Sequence, residues 1–185
     1  MRYAKLAFWS LGLIWLTGCG STQQGTPLGH HPKDLKQYDF DPSKRLWEVD
    51  NGEGLRISVD ERYLYLQFDY SALESDAENI QFIIDIDNNT STGNAMENGA
   101  DYIVENGYLY RSKKRDLWDW NELGKVEAAI DEGIDTVRIP LDMLENRQRV
   151  FGVNAELLND TWKPVLYSPS ATDAKGYHLK TLYRP

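Results

Sequence analysis

The sequence predicts an all-β protein, an antiparallel β-sandwich of jelly-roll type with about ten strands, and three observations carry that prediction. Apolar residues recur with a period of two through most of the chain beyond residue 46. The alternating runs are short and are separated by Gly, Asn, Asp and Ser, as hairpin-connected strands are. Almost no stretch shows the 3.6-residue period of a helix.

The strands follow in order. Leu55, Ile57 and Val59 alternate with Arg56, Ser58 and Asp60. After a turn at Glu61, Leu64, Leu66, Phe68 and Tyr70 alternate with Tyr63, Tyr65, Gln67 and Asp69. Ile80, Phe82, Ile84 and Ile86 then line one face. Further strands are expected at Asp101–Glu105, Tyr108–Ser112, Leu117–Asn121, Lys125–Ile130, Asp135–Ile139, Val150–Leu157, Trp162–Tyr167 and Tyr177–Tyr183. This alternation marks sheets with one buried and one wetter face. One helical turn is expected at Leu141–Asn146, after Pro140. Trp47 and Trp162 are assigned to the core.

Composition narrows the function. The chain carries 20 Lys and Arg against 29 Asp and Glu, a net of -9, which argues against nucleic acid because phosphate binding needs clustered bases. With 6 Trp and 11 Tyr it is too rich in rings for a disordered chain. One cysteine excludes an internal disulfide and a cysteine-built zinc site.

That cysteine has another use. Arg2 and Lys5 precede an apolar run from Leu6 to Leu16, the charged head and apolar stretch of an export signal, too short for a comfortable membrane span. Leu16-Thr17-Gly18-Cys19 resembles the lipobox of bacterial lipoproteins, which implies cleavage before Cys19 and acylation of its sulfur and new amino group. Cleavage removes Arg2 and Lys5 and no acid, leaving a net of -11. Anionic head groups would repel such a body, so only the acyl chains should hold it to a membrane. Gly20 and Ser21 follow, with no Asp of the kind that retains lipoproteins at the inner membrane, and resemblance to Gram-negative sorting implies the outer membrane. The expected organisation is therefore a signal peptide at 1–18, a lipidated Cys19 with a flexible linker to 43, and one domain over 44–185. Within the linker, His30 and His31 read as solvated residues.

The most informative stretch runs from Phe82 to Glu105. With the isoleucines inward, Asp85 and Asp87 fall together on the opposite side of the strand's end, before the polar turn Asn88–Gly93. Carboxylates two apart followed by a polar loop offer the several oxygens that a hard cation such as calcium requires. The opening Asp85, Asp87, Asn89 imitates an EF-hand loop, but Thr90 and Met96 stand where that loop needs Gly and Glu. Asp101 is the better closing ligand, since Gly99 and Ala100 allow close backbone approach. The alternative is an Asn/Asp-rich turn held by its own side chains, which needs no metal.

Asp85-Ile86-Asp87-Asn88-Asn89 with Thr92-Gly93, then Gly99-Ala100-Asp101-Tyr102, resembles a signature of bacterial secreted sandwich domains related to the family-nine carbohydrate-binding modules and the DOMON superfamily. Val137-Arg138-Ile139-Pro140-Leu141 with Leu144 is similar to their passage from strand to short helix. The resemblance spans about residues 46–183. It implies bound Ca2+ with Asp85, Asp87 and Asp101 as ligands, and Asn89 and Thr92 beside them.

A sugar site needs flat rings beside polar groups. Trp118 and Trp120, two apart, point the same way, with Asp116, Asp119 and Asn121 nearby. Tyr63 and Tyr65 share a polar face with Gln67 and Asp69. Each cluster has a plain alternative, core filling for the tryptophans and cross-strand packing for the tyrosines. No Gly-x-Ser-x-Gly elbow, HExxH helix or Gly-rich phosphate loop occurs, and nothing around Met96, Met143 or His178 suggests a haem ligand pair. The expectation is a non-catalytic envelope lipoprotein, bound to the membrane through its lipid and to a carbohydrate through a calcium-stabilised sandwich. The alternative is a protein-interaction scaffold of the same fold without a sugar site.

Overall fold

A computed structural model describes residues 47–50, 54–73, 79–131, 133–145, 147–148, 150–169 and 179–182. The expected signal peptide and linker, with Cys19, His30 and His31, lie outside the described residues, as does His178.

Two antiparallel sheets face each other. The first has five strands in the order β1–β2–β3–β9–β8: β1 (Trp47–Asp50), β2 (Leu55–Val59), β3 (Tyr63–Asp69), β9 (Ile134–Pro140) and β8 (Glu127–Asp131). The second has seven. Its path is β11 (Pro164–Ser168), β10 (Val150–Leu158), β4 (Asn79–Asp85), β5 (Tyr102–Glu105), β6 (Tyr108–Ser112) and β7 (Trp120–Lys125). β12 (Leu179–Leu182) pairs with Val150–Val153, so β11 and β12 share one edge of β10.

The predicted alternation builds the space between the sheets. Leu55, Ile57, Val59, Leu64, Leu66 and Phe68 from one layer meet Ile80, Phe82, Ile84, Val104, Val153 and Leu157 from the other in one buried cluster. Burying such side chains stabilises by about 1.5–3 kcal/mol each relative to exposure. Leu141 and Leu144 close one end, and Tyr102 Oη accepts from the Glu145 backbone N–H at 2.8 Å.

Several boundaries differ from the sequence reading. β7 begins at Trp120 and not at Leu117, because Arg115–Leu117 turn away to meet another loop. The helical turn is a short 3₁₀ segment, Leu141–Met143. Trp162 is not core. It stands half-buried in the turn between β10 and β11 with φ +60 and belongs to neither apolar cluster, because the Asn159 side chain organises that turn by accepting from Thr161 N and Lys163 N. The side chain of Trp47 falls outside the described residues.

Register settles the outer face of the seven-stranded sheet. With Phe82 and Ile84 inward, Gln81, Ile83 and Asp85 point outward. Pairing places Asn154 beside Ile83, Glu156 beside Gln81, Glu105 beside Gln81 and Ile103 beside Ile83. Tyr110 follows next to Ile103.

Candidate functional site

Asp85 ends β4, Asp87 lies in the following turn and Asp101 immediately precedes β5. The hairpin brings Asp101 back beside the end of β4, where its N–H donates to Ile84 O at 2.8 Å. One carboxylate oxygen from each of the three lies within 4.8 Å of the others. Only this closure gathers them, because Asp101 is sixteen residues from Asp85 in the chain.

Two glycines permit the loop. Gly93 has φ +55, and a Cβ there would lie 2.1 Å from Gly99 O. Gly99 has φ +91, and its Cβ would lie 2.4 Å from Thr90 Cα. Both conformations favour glycine and the backbone crossing leaves no room for a side chain.

Backbone N–H groups orient the acids. Asn89 N donates to Asp85 Oδ1 at 3.1 Å and to Asp87 Oδ1 at 3.0 Å, and Ile86 N donates to Asp101 Oδ2 at 3.0 Å. Thr92 Oγ1 lies 3.0 Å from both Asp87 oxygens. Asn89 also organises the turn beside the acids. Its side-chain oxygen accepts from Ser91 N at 3.0 Å, so it shapes the turn, and its backbone serves the acids.

The electrostatics favour a positive occupant. Burial pushes the Asp85 carboxyl up to about 6, and the charges of Asp101 and Asp87 add to this against the Asn89 N–H. Burial likewise raises Asp101 to about 6, with the Asp87 charge next, partly offset by backbone N–H groups and Arg111. The donor set is entirely oxygen, partly buried and mutually repulsive. It fits a hard cation, which would take up the charge that the N–H groups leave uncompensated.

The acidic loop is tied to the tryptophan arm. The Arg115 guanidinium donates to Thr92 O at 2.8 Å and Thr90 O at 3.0 Å, and Ala95 N donates to Arg115 O at 2.7 Å. The buried Asn94 amide donates to Leu117 O at 2.8 Å. Neither Arg115 nor Asn94 stands out in the sequence, because their contacts cross more than twenty residues.

Trp118 and Trp120 share a face, their ring centroids 5.5 Å apart at 72°. That face is the outer side of the seven-stranded sheet and not the space between the sheets. Trp120 is only 7% exposed, packed with Ile83, Ala100, Ile103 and Tyr110, while Trp118 is half-buried against this second cluster. Of the acids nearby, Asp119 lies 3.5 Å from both Lys113 Nζ and Lys114 Nζ, and Asp116 is exposed.

Tyr63 and Tyr65 lie on the opposite side of the molecule, on the outer face of the five-stranded sheet. Tyr65 is buried and its Oη donates to Asp60 Oδ2 at 2.5 Å. Tyr63 carries the Arg138 guanidinium 4.4 Å from its ring centre. The two aromatic pairs therefore do not form one site.

Fold and site together define an all-β sandwich with an oxygen-only acidic loop at the end of one sheet. Comparison of the chain with protein-family models, curated proteins and solved structures finds no match.

Proposed function

We propose that this chain is a non-catalytic binding module stabilised by calcium, exported on a lipid attached to Cys19 and held at the outer membrane of a Gram-negative cell. The observation that supports it most is the triad, whose oxygens converge within 4.8 Å at the end of the face that carries Trp118. The calcium ligands are Asp85, Asp87 and Asp101, with Thr92 positioning Asp87. The resemblance to carbohydrate-binding sandwiches points to a glycan as the ligand. Trp118 is the ring available for stacking, while Trp120 supports it from below. The mature chain should then bind one family of glycans on an array, and Trp118→Ala should abolish that binding with little loss of thermal stability. Cys19→Ser should lose palmitate labelling and outer-membrane fractionation. Unchanged labelling would remove the lipid anchor from this reading.

A second reading rests on the burial of Trp120. A tryptophan that is 7% exposed is a packing residue, which suits a protein-interaction scaffold with the same fold and calcium loop. Binding to no glycan, with a protein partner recovered on Trp118-dependent cross-linking, would favour the scaffold.

A further inference from the structure

Trp118 stands on a short arm, Arg115–Asp119, between β6 and β7. Arg115, Asp116 and Leu117 are exposed, Leu117 by 49%, so the first half of the arm buries little apolar surface to fix its place. Hydrogen bonds fix it instead. At the far end Asp119 O accepts from Lys113 N at 2.9 Å, beside the end of β6. At the near end the bonds run to the acidic loop. The Arg115 guanidinium is a fork on two loop carbonyls, Thr92 O at 2.8 Å and Thr90 O at 3.0 Å, and it pairs with no carboxylate among the described residues. The Arg115 carbonyl accepts from Ala95 N at 2.7 Å, and the Leu117 carbonyl accepts from the Asn94 amide at 2.8 Å. Asn94 is fully buried, and its backbone is bound within the loop: its N–H donates to Ala100 O and its carbonyl accepts from Gly99 N, both at 2.7 Å. The arm is thus fastened to residues 90–95 at several points, and Trp118 follows them.

The same loop residues answer to the triad. Thr92, whose carbonyl holds Arg115, has its hydroxyl 3.0 Å from both Asp87 oxygens. Asn89, whose N–H serves Asp85 and Asp87, directly precedes Thr90, the other carbonyl under the guanidinium. Three converging carboxylates repel one another when ionised, so a cation between them favours the converged loop over a loosened one. The docked arm needs the same arrangement, in which Thr90 O and Thr92 O lie within reach of one guanidinium. Two sites that favour one arrangement of a shared element are energetically coupled.

We infer that Arg115 is a positioning residue that couples the two sites: a cation on Asp85, Asp87 and Asp101 fixes the arm, and with it the Trp118 ring that meets the ligand. This rests on the reading of the triad as a cation site, and it makes recognition through Trp118 calcium-dependent.

The test follows the ring itself. The full chain is labelled with 5-fluorotryptophan, and Trp118→Phe identifies the Trp118 resonance in the fluorine spectrum. Calcium chloride is then added to the chelator-treated protein, with thermal melts recorded on the same samples. The Trp118 resonance should shift, and the shift should saturate at the calcium concentration that saturates the rise in melting temperature. Arg115→Ala replaces an exposed side chain and should still show a rise on calcium, while its Trp118 resonance loses the shift. Should Arg115→Ala fail to fold, Arg115→Lys keeps the charge without the planar fork and should show a reduced shift. A melting temperature that ignores calcium in the unaltered chain removes the triad as a cation site and the coupling with it. A calcium-dependent melt with a Trp118 resonance that stays still, or that shifts as fully in the Arg115 variant, overturns the coupling alone.

Discussion

The two outer faces of this sandwich handle polar side chains in opposite ways. On the five-stranded sheet, polar groups answer one another. Tyr65 Oη donates to Asp60, Arg138 lies over Tyr63 and pairs with Glu127, and Gln67 Nε2 donates to Thr136 Oγ1 at 3.1 Å. The buried Ser58 Oγ, without a partner among the described residues, departs from that pattern. On the seven-stranded sheet the acids are answered only in part, Glu105 by the Gln81 amide and Asp101 by the Arg111 charge. Asp85, Asp87 and Asp101 crowd one end, Glu156 is buried further along, and Asn154 Oδ1 is without a partner among the described residues. A face whose groups are mutually satisfied stabilises itself. A face of buried acceptors is stabilised by something positive on it, which is what the proposed binding role requires.

The largest effect expected from breaking this contrast comes at Trp120. Truncation to Ala should cost about 3–5 kcal/mol in urea unfolding, because it empties the centre of the apolar cluster that roofs the seven-stranded sheet. Trp118→Ala should cost clearly less. Equal small losses for both would return the pair to an exposed platform.

Next in size is the effect of the cation proposed for the triad. A chelator should lower the melting temperature and calcium should restore it, with magnesium a poor substitute. At a hundredfold excess over Kd the stabilisation is about 2.7 kcal/mol. Asp87→Ala should melt like the chelated protein and ignore further chelator. A melting curve indifferent to chelator would reduce the loop to an ordinary Asx turn. In chelator the pH dependence has a definite sign. Asp85 and Asp101 titrate near 6 when folded and near 4 when unfolded, so the folded state holds protons that the unfolded state has lost. Metal-free stability should therefore be greatest below about pH 4, as far as these groups govern it, and fall as pH rises through 6. For the buried Asp85 this is on the order of 3 kcal/mol. Calcium should flatten the fall, since it holds both carboxylates ionised.

The smallest effect belongs to the self-satisfied face. Tyr65→Phe removes one hydrogen bond to a carboxylate and should cost about 1.5 kcal/mol, with no change in chelator sensitivity or ligand binding. A change in either would tie the two faces together.

Much of this was legible before any coordinates. Period-two alternation marks most of the strands, because the facing of a strand residue is a local property of the pleat. Asp85 and Asp87 declare themselves for the same reason, being two apart at a strand's end. Asp101 was reachable only through its neighbours Gly99 and Ala100, whose small size allows the crossing at Thr90. Trp118 and Trp120 were correctly placed on one face, but the sequence left open whether that face was a groove or the core. The structure adds a third arrangement, the roofed outside of a sheet.

What the sequence by itself determined, then, is which residues share a face. What only the tertiary structure decided is which faces are covered. Trp120, Asn154 and Glu156 alternate like ordinary outward residues and are nonetheless buried. The loop bearing Glu97 ends at Ala100, which packs against Ile83 and Ile103 on the outer face of the seven-stranded sheet. Arg115 and Asn94 tie that loop to the tryptophan arm through carbonyls more than twenty residues away. Alternation is written in neighbouring residues and can be read from them. Burial of an outer face, and the shifted acids that go with it, depend on long-range closure, to which no local pattern corresponds.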